Sequence, residues 1–150
     1  MYPLVLTLHS WIRWVTIVAA IGALVTALSA RAEQDRSAEW WSLLFVTTID
    51  VQLLLGLLLY FVVSPNMQMV RQHFAEAMQI PQLRFWAVEH VTAMIVAVVV
   101  AHIGRVLARK APDAASRRVR RLICYGIATI IILLATPWPG LPYGRPLIRW

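Results

Sequence analysis

Four long runs of the chain are almost free of charge, and no other feature restricts its fold as strongly. They cover about residues 4–30, 40–63, 85–103 and 122–138, and hold only Arg13, Asp50 and Glu89 as charged residues. Crossing about 30 Å of hydrocarbon takes roughly 20 helical residues at about 1.5 Å each. Each run is apolar all round rather than along one stripe, as suits a helix that faces lipid. Val, Ile and Thr are frequent, but the runs are too long for buried strands. Composition agrees: of 150 residues, 60 % are apolar and 14 % charged. A soluble globule of that size lacks the interior to hide so much apolar surface.

The breaks between the runs are marked by proline and glycine. Ser64-Pro65-Asn66 ends the second run, Pro81 precedes the third, and Ala111-Pro112-Asp113 sits before the fourth. Between the second and third runs, MQMVRQHFAEAMQ has the pattern of an amphipathic helix lying at the membrane interface. Pro137, Pro139, Gly140, Pro142, Gly144 and Pro146 make the end of the chain an irregular tail, here taken as residues 139–150. No internal repeat or low-complexity tract divides the sequence. The expectation is one all-α domain, an integral membrane four-helix up-down bundle with a short interfacial helix between spans 2 and 3. The opening MYPLVLTLHSWIRW lacks a basic n-region and a cleavage site, so the first run reads as a retained span.

A formal charge of +7 suggests nucleic acid until it is located. Nine basic residues fall in two connections on one side: Arg31 and Arg36, then Arg105, Arg109, Lys110, Arg117, Arg118, Arg120 and Arg121. The other side has four, Arg71, Arg84, Arg145 and Arg149. The positive-inside rule makes the richer side cytoplasmic, with both termini outside. The charge is thereby explained without DNA or RNA. It fits contact with anionic lipid head groups.

Ionisable residues inside spans are costly and tend to be functional. His9 lies about five residues into the first run and His90 about five into the third. These runs point the same way, so both imidazoles sit about 8 Å below the outer surface. Two histidines at one depth on parallel helices suit bis-histidine ligation of haem b or another tetrapyrrole. The same pair also reads as two hydrogen-bonded or snorkelling histidines. Arg13 shares the helical face of His9, and Arg84 sits just outside the third run. Either is placed to pair with a haem propionate. Trp11, Trp14 and Trp86, at the same level, read as an interfacial aromatic belt, and Glu89 as the ion-pair partner of an arginine. His102 lies about 18 Å along the helix from His90, too far to share an iron. Asp50 and Gln52, near mid-membrane, read either as a proton relay or quinol contact, or as groups fastening helices together. The single Cys124 excludes a CxxC site and an internal disulfide, and no phosphate loop, HExxH or G-x-S-x-G occurs.

The strings LHSWIRW, DVQLLLGLLLYFVVSP, RFWAVEH and PWPGLPYGRPL occur in that order over nearly the whole chain. Together they resemble small four-span bacterial membrane proteins described as cytochrome b-like, loosely similar to the b561 and CopD group of haem-carrying bundles. The resemblance implies haem held by His9 and His90, which match the histidines of the family's first and third spans. Members often carry histidine where this chain has Asp50. That departure bears on a third ligand or another histidine pairing, not on the His9–His90 match. The expected function is a b-type membrane cytochrome. It would pass electrons between quinol and an outward-facing acceptor, as a subunit of a larger complex. The rival expectation is an accessory subunit of a respiratory or photosynthetic complex, without catalysis of its own.

Overall fold

In a computed structural model, residues 1–29 and 35–148 are described, so Arg31 and Arg149 of the charge count lie outside the described residues. Every element among them is helical. Helix α1 is Tyr2–Ser29, and α2 is Asp35–Leu58, which widens into a π-helical turn at Leu59–Val63. Three short helices follow: α3 (Pro65–Gln72), α4 (Phe74–Ala77) and α5 (Pro81–Arg84). A second π-helical turn, Phe85–Glu89, leads into α6 (His90–Arg109), and α7 is Ala114–Ala135. The residues between Ser64 and Arg84 thus form a broken helical segment. Pro65 and Pro81 each stand in the first turn of a helix, where a missing N–H costs nothing, and Met67 N–H donates to the Ser64 side chain.

The four long helices form a ring in which α1 lies along α2, α6 along α7, and α1–α7 and α2–α6 contacts close it. Small side chains allow the approach. Ala19, Ala20, Ala23 and Ala27 of α1, and Ala97, Ala101, Gly104 and Ala108 of α6, are all buried. The long helices hold no Gly-x-x-x-Gly, and alanine takes its part. A Cβ on Gly104 would collide with the Cys124 side chain of α7, and one on Gly22 with the Trp41 ring of α2. The centre of the ring is filled by Ile17, Phe45, Ile49, Tyr125 and Ile132, with Phe45 and Tyr125 edge to face at 5.4 Å. Hydroxyls inside the helices bond to carbonyls one turn back, as Thr16 to Ile12 (3.0 Å) and Thr129 to Tyr125 (2.6 Å) do. Val18, Val25, Leu54, Phe61, Ile130 and Leu134 point outward, an apolar surface suited to a lipid bilayer.

Three stretches, Tyr2–Ser29, Arg36–Val63 and Pro81–Arg109, are long and apolar enough to cross a membrane. The fourth expected span, 122–138, is different. Helix α7 begins eight residues earlier, through the basic run RRVRR, and ends at Ala135. The basic stretch 105–121 is therefore helix on both sides of a short connection, not a loop. Asp113 caps α7, accepting from Ser116 N–H at 2.8 Å and from the Ser116 hydroxyl at 2.7 Å. These bonds hold its carboxyl below the usual range. The helical continuation turns Arg121 inward, where it is 3 % exposed. Arg121 and Arg105 grip the two oxygens of Glu39 at 2.6 and 2.7 Å. Arg105 also donates to Ser42 at 3.2 Å, and Ser42 hydrogen-bonds Tyr125. One carboxylate thus ties α2, α6 and α7 together at this end of the bundle.

Candidate functional site

At the opposite end, the helices diverge around a cavity of about 570 Å³. That falls within the roughly 300–1,000 Å³ range of ligand pockets. Its walls are mainly apolar, among them Leu53, Leu57, Val91, Met94, Val98 and Ile132. Residues 65–84 cover one side through Met67, Val70 and Leu83. Into this apolar space project His9, Arg13, Gln52, His90 and Arg145.

His9 comes from α1 and His90 from the first turn of α6, so the depth match read in the sequence corresponds to one shared cavity. His90 has its ring orientation fixed. Its Nδ1 lies 2.8 Å from the carbonyl of Ala135, the last residue of α7. A carbonyl only accepts, so Nδ1 carries the proton and Nε2 keeps its lone pair. The bond also serves an α7 carbonyl that has no partner within its own helix. Phe85 and Trp86 flank the ring at 5.7 and 5.6 Å.

His9 is held by α2. The Gln52 amide nitrogen donates to the His9 carbonyl at 3.0 Å and lies 3.2 Å from Nε2. The ring rests against Gly56, where a Cβ would stand 3.2 Å from Cε1. Its Nδ1 is buried and lacks a hydrogen-bond partner, as does Oε1 of Gln52. Buried polar atoms without partners are uncommon, and these two lie beside one cavity.

The basic residues divide differently from the expectation. Arg13 lines the cavity, and its guanidinium donates to the Leu147 carbonyl at 2.8 Å. Arg84 does not line it, and pairs with Glu89 at 2.7 Å on a half-exposed surface. Arg145, from the tail, stands in the lining instead. Trp86 also faces the cavity rather than standing only in a belt. Tyr60 reaches across from the first π-helical turn to the second, donating to the Ala87 carbonyl at 2.9 Å.

His102 and Asp50 stand apart from the cavity and bond to each other, Nε2 to Oδ1 at 2.8 Å, joining α6 to α2. Among the described residues no group of three or more His, Cys, Asp or Glu is placed to hold a metal ion by itself. Among the described residues, the imidazoles in the lining, His9, His73 and His90, come from separate elements, and His9 and His90 stand on two different long helices. No known protein family, curated protein or solved structure matches this chain in comparison.

Proposed function

We propose that this chain is a b-type membrane cytochrome, with four spans, both termini outside and a place in a bacterial inner membrane. One observation carries the reading. Two imidazoles from different helices face one mostly apolar cavity of about 570 Å³, and one of them is fixed with Nε2 as a free lone pair. His90 would hold haem iron through that atom, its Nδ1–H kept on the Ala135 carbonyl. His9 would be the second ligand, giving up its Gln52 contact. Haem bound in this way supplies one-electron transfer.

The chain's own residues supply the setting. Met94, Val98 and Ile132 exclude water from the floor, and Trp86 walls the side next to His90. Arg13 brings a positive charge to the rim, where carboxylates meet the polar edge of the bilayer. The proposed electron donor is quinol from the membrane, and the acceptor lies on the outer side. The Lys and Arg distribution supports this orientation. The resemblance of LHSWIRW and RFWAVEH to the cytochrome b-like proteins supports the haem reading.

A reduced-minus-oxidised spectrum of protein purified from haem-replete cells is the test. An α band characteristic of b haem is expected, and its absence refutes the proposal. His9→Ala and His90→Ala should each abolish the low-spin spectrum. If neither variant changes it, both residues leave the ligand set.

A further inference from the structure

We propose that residues 137–147 form a strap across the mouth of the cavity, and that Arg145 on the strap selects a ligand bearing carboxylates. The inference rests on the haem reading of the same cavity and names the residue that recognises the acidic edge.

Helix α7 stops at the level of His90, because its last carbonyl is the one His90 binds. The chain beyond that point takes the place of a further helical turn. It closes on itself through Gly144 N–H to the Leu141 carbonyl (2.8 Å) and Arg145 N–H to the Pro137 carbonyl (3.0 Å). Gly140, at φ +91°, occupies a left-handed conformation that a side chain would strain. Three contacts pin this segment to the bundle. The Tyr143 ring stacks on Phe85 at 3.6 Å. Trp138 donates from its indole to the Leu133 carbonyl at 2.7 Å. The Leu147 carbonyl accepts from Arg13 at 2.8 Å and from the Trp14 indole at 3.0 Å. The segment therefore bridges α1, α7 and the π-helical turn that leads into α6, close to Arg13, Ala135 and His90.

Arg145 rides on this bridge and faces the cavity, its guanidinium carbon 5.2 Å from the centre of the Trp86 ring. No ion pair joins it to a carboxylate among the described residues, whereas Arg84 already has Glu89. The one carboxylate in the lining, Glu76, is 81 % exposed and lies beside His73. The rim is thus basic on the strap side, with a planar fork suited to bidentate binding of a carboxylate.

The test is a titration of haem-free protein in detergent with haemin and with haemin dimethyl ester, whose acidic groups are blocked. Soret absorbance and tryptophan quenching report binding. Wild type should prefer the diacid by about tenfold, the size of one charge-assisted hydrogen bond. Arg145→Gln should lose that preference by weakening the diacid alone, with the His-ligated spectrum intact. Arg84→Gln should keep it. If Arg145→Gln retains the preference, the strap assignment is wrong while the haem reading stands. If wild type binds neither form, both fall together.

Discussion

Replacing Glu39 by Gln should loosen the end of the bundle remote from the cavity. The carboxylate accepts from Arg121 at 2.6 Å and from Arg105 at 2.7 Å, and each of these bonds belongs to the charge-assisted class, about 1.5–3 kcal/mol apiece. Glu39 is itself 41 % exposed, so solvent screens part of this, and the amide of Gln keeps one acceptor. The burial lies on the other side, since the Arg121 side chain is 4 % exposed and Arg105 17 %. Removing the carboxylate leaves these two cations facing one another, the costly way to break such a group. Balancing the terms gives a loss of about 2 kcal/mol, roughly a thirtyfold fall in the folded-to-unfolded ratio. Arg121→Met should cost less, because it removes a buried charge, leaves Glu39 with Arg105, and fills the space with apolar atoms. Urea or thermal unfolding in detergent, followed by far-UV circular dichroism, gives both values. Equal stability of Glu39→Gln and wild type, or a larger loss in Arg121→Met, would refute the account of this network.

Gly56→Ala should separate site from scaffold. Alanine favours helix by about 1 kcal/mol over glycine, yet its Cβ would stand 3.2 Å from the His9 ring. Melting should hold or rise while haemin affinity falls several-fold. Gly22→Ala should do the opposite, since its Cβ would collide with the Trp41 ring between α1 and α2. A loss of about 1–3 kcal/mol in unfolding is expected, with the site spectrum unchanged. Asp113 should make α7 acid-sensitive. The Ser116 N–H and hydroxyl lower its folded pKa, so its stabilisation is present above the unfolded value of about 3.9 and is lost as pH falls through the folded one. Melting curves between pH 2 and 5 should show this dependence reduced in Asp113→Asn.

Three long apolar helices, and His9 and His90 near the same end of two of them, were legible because both depend on counting along single helices. Apolar runs set helix length, and five residues from each outer end set one depth for His9 and His90. What escaped depends on where helices stop. Helix α6 runs on to Arg109, and its phase brings the half-exposed His102 within reach of Asp50 on α2. Asp113 starts α7 ahead of the arginine run, and that phase alone buries Arg121. Arg84 pairs with Glu89, five residues on, in the ion-pair role expected of that carboxylate, and so does not line the cavity. Arg145 belongs to a proline- and glycine-rich tail without periodicity, so its return to the cavity follows from tertiary contacts such as Tyr143 on Phe85.

The two π-helical turns, Leu59–Val63 and Phe85–Glu89, give the segment between them its rotational phase. A π turn accommodates one residue more than the α turn it replaces, and one residue corresponds to about 100° of rotation. Deleting Val62 would let α2 continue as plain α-helix and swing Ser64 and α3 around its axis. Deleting Val88 would turn Trp86 and Leu83 away from the face of α6 that carries His90. A single-codon deletion at either place would therefore redirect a whole wall of the cavity while leaving both histidines on their helices.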